Sequence, residues 1–465
     1  MSGTNGTRRW ATSLAIAPLM MLATATNSRA QFTTLVSFTG SNGNQPFMEN
    51  LVQGKDGNLY GTTTYGGTFG NGTIFKVTRT GTLTTIYNFA NTPDGANPYA
   101  GLVLGTDGKF YGTTYQGGTS GLGTVFKISS SGALTTLHSF AGTDGELPAC
   151  ALVQGTDGKF YGTTEAGGSH APPYGTVFQI TSSGTFTSLH SFDDTDGQQP
   201  MAGLVQGKDG SYFGTTAGGG ASNFGTVFKI ASTGTFTSLH SFDDTDGWEP
   251  EGALIQATDG NFYGTTVRGG ASGDGTAFKI SSTGTFTSLH SFDVTDGYEP
   301  VAGLVQATGN FYGTTYSGGT SAEGNIFKMT SGGTVTSLHS FSGGDGGPDG
   351  DYPSGGLVQH TSGVFFGTTG GVGSGGLGTV FSLGEGLKPF VRTVPASGKV
   401  GSAVTILGTG LTGPASVTFN GVVATIGTDT ATYISTTVPT GATTGPVVVV
   451  TPCCTYTSHV NFTVP

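Results

Sequence analysis

Pro250-Glu-Gly-Ala-Leu-Ile-Gln256, Asp259-Gly260, Phe262-Tyr-Gly-Thr-Thr266, Gly275-Thr-Ala-Phe-Lys-Ile280 and Thr285 to Phe292 follow one another in a single stretch of this chain. Each apolar or β-branched run is short and bounded by glycine or Asp-Gly, the pattern of strands separated by tight turns. The stretch therefore reads as four strands. Its marker, Tyr/Phe-Gly-Thr-Thr, starts at Tyr60, Tyr111, Tyr161, Phe213, Tyr263, Tyr312 and Phe366, which gives seven copies. A four-stranded unit recurring about every 50 residues is the signature of a β-propeller blade.

The ends of the repeat region fix the strand order. Phe32 to Phe38 matches the fourth strand, Thr285 to Phe292, whereas the copy marked by Phe366 has three strands and lacks the fourth. The N-terminal strand is expected to supply it, closing a seven-bladed ring and removing an exposed sheet edge. Within a blade the first strand is expected innermost, because small residues such as Ala202-Gly203 and Ala302-Gly303 suit a crowded central channel. Asp56-Gly57, Asp107-Gly108, Asp157-Gly158, Asp209-Gly210 and Asp259-Gly260 supply the positive φ of tight hairpins between first and second strands. Two loop families remain, the Gly-rich loop after Gly-Thr-Thr and the inter-blade loop, and both should lie on one face.

The chain has 465 residues, 85 of them glycine, and only 10% are charged. Glycines at fixed places between β-branched and aromatic runs mark turns of a folded all-β protein. Arg8 and Arg9 precede an apolar run, and Ser28-Arg29-Ala30 offers small residues for a signal peptidase, so residues 1–30 read as a signal peptide and the protein as secreted or surface-bound. Without Arg8, Arg9 and Arg29, 14 of the 17 basic residues remain against 28 acidic ones, a net charge near −14. That balance disfavours nucleic acid and anionic membranes as partners. No membrane span and a monomeric state are expected of the mature chain. Cys150 occupies a position where other repeats have alanine and reads as a small buried residue, while Cys453 and Cys454 have no second Cys/His cluster to complete a zinc site.

After the repeats, residues 385–389 read as a linker. Residues 390–465 carry short alternating strands with regular turns, the pattern of a β-sandwich. Through Pro395, Gly398, Val404-Thr-Ile-Leu-Gly408, Phe419-Asn-Gly421 and Val438-Pro-Thr-Gly441, this region resembles an IPT/TIG domain, which implies an immunoglobulin-like fold. The repeats over residues 31–384, with Asp-Gly, Phe-Tyr-Gly-Thr-Thr and Gly-Thr-Val-Phe-Lys elements, resemble the GloVer (Gloeobacter/Verrucomicrobia-type) tandem repeats of exported bacterial proteins. That resemblance implies surface or extracellular placement, often with a C-terminal anchor, and supplies no activity and no catalytic residues. The chain ends at Val464-Pro465 without a hydrophobic tail, so free secretion or non-covalent surface association is expected.

Candidate sites concentrate in the inter-blade loops. Trp248 and Tyr298, with Glu249 and Glu299 beside them, and Tyr352 beside Asp351 are the candidate ligand-binding residues. An aromatic face can stack on a sugar or peptide while neighbouring carboxylates take hydrogen bonds; the alternative is that these rings cover blade edges. The Asp-Thr-Asp-Gly loops place Asp194, Asp196, Asp244, Asp246 and Asp296 where oxygen ligands for calcium would stand, against the plainer role of capping the loop backbone. No other cofactor is expected. His138, His190, His240, His290 and His339 share one repeat position on different outer strands, too far apart for a common metal, and read as packing residues. No residue is assigned a catalytic role, although Glu165, His170 and Arg268 depart from their loop counterparts. The sequence points to a non-enzymatic binding protein for an extracellular carbohydrate or protein. The alternative is a polysaccharide hydrolase or lyase on the same face, since fold alone does not decide between them.

Overall fold

The computed structural model describes residues 1–3, 31–48, 50–343, 347–371 and 376–465, and every regular element among them is a β-strand. Most of the expected signal segment lies outside the described residues. Among the described residues no helix is long and apolar enough to cross a membrane.

Seven four-stranded antiparallel sheets account for the repeats. In one of them the order is Ile255–Gln256, Phe262–Thr266, Thr276–Ile280 and Phe286–Ser291. The N-terminal strand, Gln31–Ser37, completes the last sheet by pairing with Thr379–Gly384, with Phe32 opposite Leu383 and Thr34 opposite Phe381. The segment before the first inner strand and the segment after the last three-stranded unit thus meet in one sheet.

The sheets hold together through their faces. Phe213, Val227 and Phe242 of one sheet pack with Leu254, Phe262 and Phe278 of the next, all buried. Second-strand aromatics of consecutive repeats pack ring to ring, as in Phe213–Phe262 at 4.0 Å and Tyr263–Phe311 at 4.1 Å between centroids, while between the seventh and first repeats Phe366 shares a core with Leu59. Burying one such ring contributes about 2 to 3 kcal/mol. This packing explains why the second strand is buried along its whole length, as for Phe262–Thr266.

Two threonines of the Gly-Thr-Thr marker divide the polar work. The first reaches the next repeat: Thr215 Oγ1 donates to Pro250 O at 2.8 Å and Thr265 Oγ1 to Pro300 O at 3.1 Å. The second pairs within its own sheet, Thr216 Oγ1 lying 2.9 Å from Thr226 Oγ1 and Thr266 Oγ1 2.9 Å from Thr276 Oγ1. These buried hydroxyls are thereby satisfied, whereas Thr368, the first marker threonine of the seventh repeat, has no hydrogen-bond partner among the described residues. Gly275, at φ +102°, must be glycine, since a Cβ there would stand 2.4 Å from Thr266 O and 2.9 Å from Pro300 Cδ.

Residues from all seven repeats line a narrow central space of about 60 Å³. The inner strands approach backbone to backbone around it; a Cβ on Gly101 would meet Asn50 O at 2.3 Å. The channel therefore admits little beyond water, and a larger ligand must stop at its mouth.

Two further four-stranded sheets follow. One contains Arg392–Val394, Ala403–Leu407, Tyr433–Thr437 and Ile426–Asp429, the other Val422–Val423, Ser416–Phe419, Val447–Val450 and Thr455–Thr457. Val404, Ile406 and Ile434 of the first share a core with Val417, Phe419 and Val449 of the second. This C-terminal unit rests on the Asp-Gly turn face of the repeats. Leu407 is buried with Tyr60 and Phe110, Thr432 Oγ1 donates to Lys55 O at 2.6 Å, and Phe390 N donates to Thr361 O at 2.9 Å. The expected linker is itself docked, with Leu387 packed against the seventh repeat and Glu385 3.9 Å from Lys328.

Candidate functional site

The face opposite the C-terminal unit is built from the two loop families, joined by short ladders. Trp248 N donates to Arg268 O at 2.8 Å and Arg268 N donates back to Trp248 O at 3.0 Å; Tyr298 and Ser317 make the same exchange at 2.9 and 3.1 Å. The next residue along each inter-repeat loop is left-handed and is never glycine. Gln45, Asn97, Leu147, Gln199, Glu249, Glu299 and Tyr352 have φ between 50° and 57°. Each fastens two repeats: Glu299 N donates to Asp274 O of the preceding repeat, and its carbonyl accepts Tyr316 N of its own. A side-chain-bearing residue pays about 1 kcal/mol for this conformation, yet the chain, which places glycine at many other positive-φ positions, keeps seven side chains here.

Trp248, Glu249 and Arg268 form one cluster. Arg268 Nε is 3.2 Å from Glu249 Oε2, its guanidinium lies 5.6 Å from the Trp248 ring centroid, and Phe224 meets Trp248 edge-on at 5.4 Å. Tyr298 takes the same ladder position as Trp248. Tyr352, grouped with those two rings by sequence, instead occupies the left-handed position of Glu249 and Glu299, and Asp351 takes the ladder position. Counted back from the loop proline, Asp351-Tyr352-Pro353 aligns with Tyr298-Glu299-Pro300, so the ring and the carboxylate have exchanged places in the sequence. Tyr352 stacks on Tyr316 at 4.9 Å. Burial, reinforced by Glu323, pushes the Asp351 carboxyl up to about 6.

Four residues that pattern reading left unplaced join this face. Glu251, the residue after Pro250, lines the channel where other repeats put Ala149, Met201, Val301 or Ser354. Burial, then the charges of Glu249 and Glu165, push its carboxyl up to about 7, with Glu299 acting in the same direction and Arg268 opposing. Glu165 is also raised, by burial, and accepts a 3.0 Å hydrogen bond from Tyr115 OH of the preceding repeat. Tyr115 packs on Tyr99 at 4.5 Å, and Tyr99 meets Phe47 edge-on at 5.8 Å. An aromatic arc from the first two repeats thus runs into carboxyl groups contributed by the third, fifth and sixth. The signal was positional: each of these residues follows either the loop proline or the Gly-Thr-Thr marker.

The Asp-Thr-Asp-Gly loops and the histidine series belong to one device. His190 Nε2 is 2.8 Å from Asp196 Oδ2, while Asp196 Oδ1 accepts Asp193 N at 3.0 Å. His240 with Asp246, and His290 with Asp296, repeat the arrangement at 2.9 and 2.6 Å. The imidazoles of His190 and His240 also stack on Phe236 and Phe286 of the next repeat, at 4.1 and 4.0 Å. Both oxygens of Asp196, Asp246 and Asp296 are therefore engaged, and Asp194 and Asp244 are exposed. Among the described residues no group of three or more His, Cys, Asp or Glu side chains is arranged to hold a metal ion. Cys150 is buried with its sulfur 2.9 Å from Thr163 Oγ1, and Cys453 and Cys454 are free and exposed.

A family model described as the Gloeobacter/Verrucomicrobia repeat matches residues 21–212, 82–258, 152–381 and 206–435 in overlapping segments. No curated protein matches the chain. Among solved structures, a streptogramin B lyase superposes with a TM-score of 0.52 at 14% identity, covering 76% of this chain and 97% of the other. A fungal alcohol oxidase of the AA5 family in complex with copper superposes with a TM-score of 0.54 at 14% identity, covering 93% of this chain and 99% of the other. At such identity the likeness conveys fold alone, that of an all-β, propeller-like chain.

Proposed function

This chain belongs to the Gloeobacter/Verrucomicrobia repeat family, and we propose that it is a secreted or cell-surface binding protein whose channel-mouth face holds an extracellular carbohydrate. In this reading residues 1–30 are a signal peptide, residues 31–384 a seven-bladed β-propeller, and residues 390–465 an IPT/TIG, immunoglobulin-like module attached through residues 385–389. The observation that carries the proposal is the ring of seven non-glycine left-handed residues. Five different residue types occupy the seven positions, as suits an asymmetric ligand, while the backbone around them is the same. Tyr99, Tyr115, Trp248, Tyr298 and Tyr352 supply apolar ring surface, and Glu249, Glu299 and Glu165 supply acceptors for hydroxyl groups, the combination that suits a sugar. A protein ligand is the other occupant such a face would take. A glycan array tests the assignment: binding to at least one polysaccharide is expected, and a blank array removes the carbohydrate.

One observation favours a second reading, a polysaccharide hydrolase or lyase at the same place. Glu251, with its carboxyl near 7 among other carboxylates, has the property of a general acid. Release of reducing or unsaturated sugar ends, lost in Glu251→Gln, would establish it; binding without turnover leaves the first reading standing.

A further inference from the structure

On the opposite face the first and seventh repeats depart from the common pattern at positions that line one cleft. Arg79 stands where five other repeats have Ser130, Ser182, Ser232, Ser282 and Ser331, and Ser362 stands where five others have Asp56, Asp107, Asp157, Asp209 and Asp259. In the first repeat Asp56 accepts Tyr60 OH at 2.9 Å; in the seventh the pair has become Ser362 and Phe366, so a carboxylate and a phenol are both gone. The gained cation and the lost anion both fall on the lining of a cleft of about 550 Å³ between the first repeat, the seventh repeat and the C-terminal unit.

Apart from Asp56, the rest of the lining is neutral and hydroxyl-rich, with Asn58, Thr80, Thr409 and Thr432 among it. Arg79 is exposed and makes no ion pair or side-chain hydrogen bond among the described residues. His360, at the cleft wall, is neutral: Ser362 N donates to its Nδ1 at 3.0 Å, so its Nε2 carries the proton given to Gly57 O at 3.1 Å. Burial holds it down to about 4, and Arg79 and Arg392 both add to that. One carboxylate remains in the cleft, Asp56, and it is occupied by Asn58 and Tyr60. In a chain with 28 acidic and 17 basic residues, this lining carries one cation, Arg79, against one already occupied carboxylate, and so lacks the acidic excess of the chain.

We propose that this interdomain cleft binds a small hydroxylated anion, a sugar bearing a carboxylate or phosphate group, with Arg79 taking the charge and the threonine, serine and asparagine side chains taking the hydroxyls. Clefts between domains are frequent ligand sites, and arginine pairs with both anionic groups through two parallel hydrogen bonds. The site is independent of the channel mouth, being on the other face.

The test is calorimetric titration of the full chain with glucuronate, glucose 6-phosphate and glucose. One or both anionic sugars should bind one to one, and glucose at least about tenfold more weakly, the factor expected from loss of a charge-assisted contact. Arg79→Ser and Ser362→Asp each install a residue that other repeats carry at that position, so their melting temperatures should match the wild type while affinity falls at least about tenfold. Binding of glucuronate alone or of the phosphate alone identifies which anion is read. No binding of either at about 10 mM, or unchanged affinity in Arg79→Ser, overturns the proposal. Tyr115→Ala at the channel mouth should leave this binding unaltered, which separates its outcome from that of the other face.

Discussion

Gln53 of the first repeat clasps Thr361 of the seventh across 308 residues of chain: its Oε1 accepts Thr361 N at 3.0 Å and its Nε2 donates to Thr361 Oγ1 at 2.9 Å. The same glutamine-to-turn bond joins sequential repeats, as in Gln206 to Thr156 N at 3.0 Å and Gln256 to Lys208 N at 3.0 Å. The first and seventh repeats are thus neighbours in the way that consecutive ones are.

Closure by the N-terminal strand should dominate stability. Removing Gln31 to Phe38 strips the outer strand from the last sheet and deletes Phe32, which stacks on His339 at 3.8 Å and lies 5.3 Å from Phe381. The truncated protein is expected to melt far below the full chain or fail to fold. Phe32→Ala, which keeps the backbone pairing, should cost about 2 kcal/mol in chemical denaturation. A truncated chain that melts with the full one would contradict the closure.

The histidine clasp should behave as a unit. His190→Ala and Asp196→Ala are each expected to destabilise by about 1 kcal/mol, the pair being partly solvent-exposed. The double variant should cost clearly less than the two singles together, because each removes the same contact. Strict additivity in a denaturation cycle would contradict the clasp.

Calcium should do little. With both oxygens of Asp196, Asp246 and Asp296 hydrogen-bonded, millimolar calcium is expected to leave the melting temperature unchanged, measured against a chelator control. A rise of several degrees would show that the Asp-Thr-Asp-Gly loops rearrange to take the ion.

Glu251 should give stability a pH dependence of definite sign. Its carboxyl sits near 7 in the folded protein against an ordinary 4.5. The folded state therefore holds this proton more tightly, so its contribution is fully present below about pH 4.5 and is lost as pH rises through about 7. Glu251→Gln is expected to gain on the wild type between pH 5 and 8, by on the order of 2 kcal/mol. Parallel stability profiles for the two proteins would contradict the shift.

Much of the fold was legible because the repeat compares the chain with itself. Seven Gly-Thr-Thr markers, the orphan strand at Phe32 and the missing fourth strand after Leu383 contain the sheet order. The site was less legible, because its residues are the ones that differ between repeats. Trp248, Glu249, Tyr298 and Glu299 stood out as large or charged side chains in a recognisable loop. Glu251 and Tyr99 did not, since their position just after the loop proline gains meaning only when the inner strands converge on one channel. The sequence offers His190 as a packing residue and Asp196 as a candidate calcium ligand or loop cap, each by itself; a constant spacing of six residues is the available sign that they meet.

The central claim concerns the channel mouth, and a glycan array followed by titration of the best polysaccharide against Tyr115→Ala, Trp248→Ala and Glu251→Gln tests it most directly. Binding by the wild type, weakened at least about tenfold in Tyr115→Ala and Trp248→Ala at unchanged melting temperature and without release of sugar ends, is the expected result. No binding to any glycan, or binding that survives all three substitutions, would contradict the account.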